Sequence, residues 1–200
     1  MNPRFYDLSK FVVGTMARVF WRARVFGAAN VPASGRLIIA CNHISYFDPP
    51  ILGALCPRRI SYMAKKELFE IPVLGTVIRA LGAYSVDRRG SATGAIKRSL
   101  HVLESGGTVG IFPEGRRSRG GPSAPQTGVA LLASLAGSPV VPACVHGTDR
   151  ALRLGRVDVA FGAPLALPAG RKATRDDLAK FATETMKAIE ALTESIGGNT

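Results

Sequence analysis

Residues 37–50 read Leu37-Ile38-Ile39-Ala40-Cys41-Asn42-His43-Ile44-Ser45-Tyr46-Phe47-Asp48-Pro49-Pro50. The stretch opens on an apolar run at 37–40 with no polar alternation, the pattern of a strand covered on both faces. It closes on Asp48-Pro49, where a good capping side chain precedes a proline at the first helical position, so a helix is predicted over 49–55. Strand, short polar loop and helix form one unit of an α/β fold, and the unit recurs. Apolar runs at 60–64, 83–86, 109–112 and 140–145 read as strands, with 157–161 a weaker sixth. Helical stretches fall between and after them at 73–81, 92–104, 129–136 and 174–196. The expectation is an α/β domain at 31–200, with a mainly parallel sheet flanked by helices. Ligands of such sheets sit beyond the carboxyl ends of the strands, so the residues just after each strand are the candidates for chemistry.

Composition narrows the partners. The chain has 200 residues, 46% of them hydrophobic and 20% charged, which suits one domain with a substantial core and excludes disorder as a description of the whole. Its 26 Lys and Arg against 14 Asp and Glu give a net charge of +12, a field that implies an anionic partner: nucleic acid, an acidic membrane surface or a phosphorylated substrate. Residues 171–200 hold five basic and five acidic groups, so the whole excess lies in the first 170 residues. It gathers in two places, 1–32 and 88–119. The three cysteines, Cys41, Cys56 and Cys144, are unpatterned, which reads as a reducing compartment without a structural metal. Segment 115–128, rich in Gly, Pro, Ser and Arg, reads as a mobile loop.

Residues 4–24 are predicted to form an amphipathic helix. Phe5, Leu8, Val12, Met16, Val19 and Phe20 fall on one face, while Lys10, Gly14, Arg18 and Arg22 turn away. Such a helix either lies in a membrane interface or packs its apolar face on the core. The apolar run at its centre is far short of the ~20 residues that span a bilayer.

Three strand exits carry chemistry. After the first, His43 and Asp48 stand five residues apart, and a chain turning at Asp48 brings the carboxylate back to the imidazole. A carboxylate on one ring nitrogen leaves the other as a base. The pair amounts to two thirds of a hydrolase triad without its serine; the alternative is a capping Asp beside a hydrogen-bonded histidine. Asp87-Arg88-Arg89-Gly90-Ser91 follows the third strand and Phe112-Pro113-Glu114-Gly115-Arg116-Arg117-Ser118 the fourth. Guanidinium forks beside glycines suit phosphate oxygens, although each cluster alone also fits a solvated loop.

These residues together resemble the glycerophospholipid acyltransferases, and in particular the bacterial 1-acyl-glycerol-3-phosphate acyltransferases. His43 to Asp48 is similar to that family's HxxxxD motif, 82–88 to its block ending in Val-Asp-Arg, and 112–118 to its Phe-Pro-Glu-Gly block. Residues 127–148, ending in Gly147-Thr148, resemble the fourth block, and Lys65 falls where the family places a basic residue. The chain departs from the pattern at Arg116 (usually Thr), at Gln126-Thr127 (usually a Lys before Gly128) and at Ser85 (usually apolar).

The resemblance implies transfer of an acyl group from acyl-CoA or acyl carrier protein, the co-substrate, to a hydroxyl of a lysophospholipid acceptor, with no cofactor and no metal. It implies His43 and Asp48 as catalytic residues, and Arg88, Glu114 and Gly115 at the acceptor, with Lys65 and Arg116 as further substrate-binding candidates. A bilayer-borne acceptor favours residues 1–30 as an interface segment on an anionic membrane surface, holding the protein peripherally at the cytoplasmic face. Nucleic acid drops out, because the basic residues cluster with glycine at strand ends rather than along a helix with interleaved aromatics. A non-catalytic lipid-binding module is the other reading, but it has no use for His43 and Asp48 together.

Overall fold

The computed structural model describes residues 1–86, 92–115, 127–168 and 173–197. Seven strands, β1 (Arg24–Phe26), β2 (Leu37–Cys41), β3 (Ser61–Lys65), β4 (Tyr84–Val86), β5 (Thr108–Ile111), β6 (Val140–His146) and β7 (Asp158–Phe161), form one sheet in the order β1-β7-β6-β2-β5-β3-β4. The five from β6 to β4 are mutually parallel; β7 runs antiparallel to β6, with β1 parallel to β7. Six α-helices among the described residues accompany them: α1 (Pro3–Phe20), α2 (Asp48–Leu55), α3 (Leu74–Ala80), α4 (Ala92–Glu104), α5 (Gly128–Ala136) and α6 (Arg175–Gly197). The α/β class, the mainly parallel sheet and the six expected strands are all present.

The apolar run of β2 is explained by its position. Leu37, Ile39 and Cys41 pack into one core layer with Ile51, Leu52 and Leu55 of α2 and alternate residues of β6. Ile38 and Ala40 pack into the opposite layer with Val109, Val129, Leu132 and Phe181. A strand between two cores has no solvent face, so alternation disappears. The chain leaves β2 towards α2 on one face, and leaves the neighbouring β5 towards α5 on the other. Adjacent parallel strands whose connections diverge in this way open a crevice at their carboxyl ends.

The N-terminal expectation is corrected at the helix end. The helix ends at Phe20; after Trp21 and a left-handed Arg22 (φ 47°), residues 24–26 form an edge strand instead of the last helical turn. The reason is a long-range pair: the Arg24 guanidinium donates from Nε and Nη2 to both carboxylate oxygens of buried Asp158, at 2.8 and 2.7 Å. Gly14, on the side turned away from the apolar stripe, is buried against α2, where an added Cβ would lie 3.5 Å from the Ala54 carbonyl. The core-facing side of α1 is Tyr6, Gly14 and Ala17. Tyr6 ties it down: its hydroxyl accepts from the Ile60 N–H at 2.9 Å and donates to the Gly53 carbonyl. The apolar stripe faces outward, with Leu8, Phe11 and Val19 61, 72 and 65% exposed. Most of segment 115–128 and the Asp87–Ser91 cluster lie outside the described residues.

Candidate active site

The site is built where β2 ends. Asn42 continues the pairing of β2 with β6 through its side chain: its Oδ1 accepts from the Val145 N–H at 2.8 Å, and its Nδ2 donates to the Val145 carbonyl at 3.0 Å. The chain then turns through 43–47 into α2. Asp48 does not cap this helix but is its first residue, and its carboxylate folds back onto the preceding loop, the return to the imidazole that the His43–Asp48 spacing predicts. One oxygen accepts the backbone N–H groups of Ile44 and Ser45, both at 2.7 Å, and meets Nδ1 of His43 at 2.8 Å. The other accepts the hydroxyl of Thr148 from the end of β6. Asp48 is fully buried, a position a carboxylate holds only when its acceptor sites are filled. Four donors fill them, and all four fix the carboxylate in one orientation.

That orientation sets the histidine. With Nδ1–H donated to Asp48, the neutral ring carries its lone pair on Nε2, and Nε2 has no hydrogen-bond partner among the described residues. The His43 ring stacks on Phe112 at a centroid distance of 4.3 Å and 25°, and Phe112 stacks on Tyr62 at 5.9 Å. Gly110 makes room for this stack, since a Cβ there would lie 2.3 Å from the Tyr62 ring. The imidazole is thus held between a buried carboxylate and an aromatic wall, with one basic nitrogen open.

Phe112 begins the turn after β5, which the Gly115 N–H closes onto the Phe112 carbonyl at 3.0 Å. Gly115 has a φ of 66°, in the left-handed region where glycine costs least. Glu114 and Gly115 thus belong to the turn that starts at Phe112, the residue stacked on His43. Lys65 ends β3, exposed, in register with Val86 and so at the edge of the 87–91 segment. It lies two strands, about 10 Å, from β2. Arg88 and Arg116 lie outside the described residues.

Thr148, Asn42 and Phe112 are site residues to which the sequence assigned no role. Thr148 bonds a residue 100 positions away, so no local pattern reveals its task. Gly147 before it carries the one local signal: its φ is 83°, and a Cβ there would lie 2.0 Å from the Arg156 carbonyl.

Cys41, two residues from His43, is 1% exposed, and burial holds its thiol well above its ordinary range. Burial likewise raises Cys56, and pushes Cys144 up to about 11. Un-ionised buried thiols are poor nucleophiles. Iodoacetamide at neutral pH is therefore expected to leave the folded protein unlabelled and its activity unchanged, with all three free cysteines reacting only after denaturation; rapid inactivation by a single alkylation would put a thiol in the reaction.

Comparison with known proteins bears on what this crevice does. Residues 22–146 match the family model described as Acyltransferase. The 1-acyl-sn-glycerol-3-phosphate acyltransferase of Bacillus subtilis is 34% identical over 147 residues, covering 71% of this chain and 73% of that protein. Its namesake in Borreliella burgdorferi is 35% identical over 130 residues, and there the alignment covers 51% of the relative's length. The crystal structure of the 1-acyl-sn-glycerophosphate (LPA) acyltransferase PlsC from Thermotoga maritima superposes with a TM-score of 0.72 at 25% identity, over 97% of this chain and 83% of that one. The matched segment encloses His43, Asp48 and the Phe112–Gly115 turn, and the chain belongs to the acyltransferase family.

Proposed function

We propose that the protein transfers a fatty acyl group from a thioester, on CoA or acyl carrier protein, to the free hydroxyl of 1-acyl-glycerol-3-phosphate, giving phosphatidic acid. The observation that carries this reading is the His43–Asp48 pair, with Asp48 immobilised by four donors and Nε2 of His43 open. Nε2 takes the proton of the acceptor hydroxyl as its oxygen attacks the thioester carbonyl; the carbon–sulfur bond then breaks, and the departing thiolate recovers the proton from the imidazolium. Asp48 fixes the tautomer and stabilises the imidazolium. A thioester is already activated, so no covalent serine is required, and no cofactor enters. The relatives named for 1-acyl-sn-glycerol-3-phosphate support this acceptor. Purified protein incubated with labelled acyl-CoA and a panel of lysolipids tests it: phosphatidic acid is the expected main product, and transfer only to another acceptor, or none, contradicts it.

In this reading Arg88 meets the acceptor phosphate, with Lys65 and Arg116 as further substrate-binding residues. Glu114 is acidic and cannot bind the phosphate itself; it holds an arginine in place or meets a glycerol hydroxyl, while Gly115 shapes the turn. Arg88→Ala is expected to raise the KM for lysophosphatidic acid about tenfold or more, with little change for acyl-CoA, the loss of one charge-assisted hydrogen-bond pair. Equal effects on both substrates would remove Arg88 from the acceptor site.

No helix among the described residues is long and apolar enough to cross a membrane. The outward apolar stripe of α1, with Arg4, Arg18 and Arg22 on the same helix and its end, instead suits peripheral docking on an anionic cytoplasmic face. Removing residues 1–25 would also remove Tyr6 and Ala17 from the core, so a surface substitution is the cleaner test. Changing Leu8, Phe11 and Val19 together to serine is expected to weaken binding to anionic vesicles at least about tenfold without lowering the melting temperature. Undiminished flotation would place the membrane contact elsewhere.

A further inference from the structure

We infer that the Thr148–Arg153 turn and the residues after it form a second membrane contact, in which Leu152 and Leu154 enter the bilayer interface while Arg150, Arg153 and Arg156 meet anionic headgroups. The inference rests on the proposed function in one respect, that the acceptor resides in a bilayer.

Single exposed leucines are ordinary on protein surfaces; these two differ in how they are held. Leu152 is 87% and Leu154 61% exposed, on a turn fixed at both ends and in the middle. Its first residue, Thr148, is bonded to Asp48, and Ala151 is buried. Leu154 closes it in the left-handed conformation (φ 54°, ψ 29°), which a leucine rarely adopts and which the surrounding structure must hold. The leucines are therefore presented by a rigid platform. Three arginines, all exposed, alternate with them along 150–156, a stretch that holds no acid, with Asp149 just before it. Apolar tips interleaved with arginines match the interfacial layer of an anionic bilayer, where each basic residue strengthens binding about fivefold.

Continuity with α1 chooses the bilayer over an acidic protein as the occupant. The Trp21 indole N–H, just past the last turn of α1, donates to the Ala151 carbonyl at 2.7 Å, so the helix end is fastened to this turn. Val19 and Phe20, immediately before Trp21, are exposed. The end of α1, with its exposed apolar residues, is thus joined to the turn that carries Leu152 and Leu154, and the two together offer an apolar extent suited to a lipid surface. Trp21 also packs on Phe47, at a centroid distance of 6.2 Å, one residue before Asp48. Both proposed contacts are therefore tied to the loop and helix start that hold the catalytic pair, through Phe47 and through Thr148.

Two variants of the full chain test this. In Leu152→Trp the added tryptophan is expected to be quenched by phosphatidylcholine with brominated acyl chains in phosphatidylglycerol-containing vesicles, beyond the quenching of Trp21 in the unsubstituted protein. In Leu152→Ser/Leu154→Ser, vesicle affinity is expected to fall about tenfold or more, while turnover with detergent-dispersed acceptor and acyl-CoA is unchanged. Absence of added quenching, or unaltered vesicle affinity, overturns the inference, and both are read without reference to turnover. A raised KM for acyl carrier protein alone, in detergent, would make the patch a donor-protein dock and overturn it as well.

Discussion

Replacing His43 by alanine is expected to lower kcat for acyl transfer about 10³-fold, within the range for loss of a positioned general base. The open Nε2 is the group placed to accept a proton at the β2–β5 crevice, and buried Cys41 is held as a thiol. Nothing at the described site replaces an imidazole whose tautomer is fixed by a 2.8 Å contact to a buried carboxylate. The substitution leaves Asp48 three of its four donors, the N–H groups of Ile44 and Ser45 and the Thr148 hydroxyl. The loop should therefore keep its shape, and the melting temperature is expected to change little. Lysolipid binding survives, because the base makes no contact with the phosphate. A His43→Ala protein with unchanged kcat would remove the histidine from the chemistry.

Asp48→Asn is expected to lower kcat by about 10²–10⁴-fold, and unlike His43→Ala to lower stability too. The carboxylate oxygen facing the loop accepts from two backbone N–H groups and from the imidazole. An amide offers one oxygen and one NH₂. If the NH₂ faces the loop it opposes those N–H groups; if it faces Thr148, the imidazolium formed during transfer still loses its counter-charge. An unsatisfied buried donor costs about 1–3 kcal/mol, which for a chain of this size lowers the melting temperature by roughly 2–10 °C. Thermal melts and kcat measured on the same preparations separate the two roles. A lower melting temperature with full activity of the folded fraction would make Asp48 a structural clamp only.

Much of this site was legible in the sequence because its chemistry is local. The buried run of β2 and the Asp48-Pro49 helix start lie within a dozen residues of His43, and together they place an acid and a base at a strand exit. What escaped was set by distant partners. Edge strand β1 exists because Arg24 finds Asp158, 134 positions away; viewed alone, 24–26 merely extend the preceding helix. Thr148 looked like a residue after a strand until the fold carried it to Asp48. The two sides of α1 could be separated by periodicity, but which one meets protein depended on α2 accepting a glycine at position 14. The charge tally is likewise refined by pairing. Arg24 is held by Asp158, and Arg59 by Asp7 through two hydrogen bonds at 2.8 and 2.6 Å. Those guanidinium groups serve the fold, whereas the arginines of 150–156 remain exposed.

The proposed transfer is direct, with His43 as base and no acyl-enzyme. It is tested most directly by a rapid-quench experiment on the purified protein with radiolabelled acyl thioester and lysophosphatidic acid, following label in lipid and in protein. One phosphatidic acid is expected for each thiol released, with no label on the polypeptide at any time and loss of both products in His43→Ala. Label appearing on the protein before it appears in lipid, or unchanged product formation in His43→Ala, would contradict it.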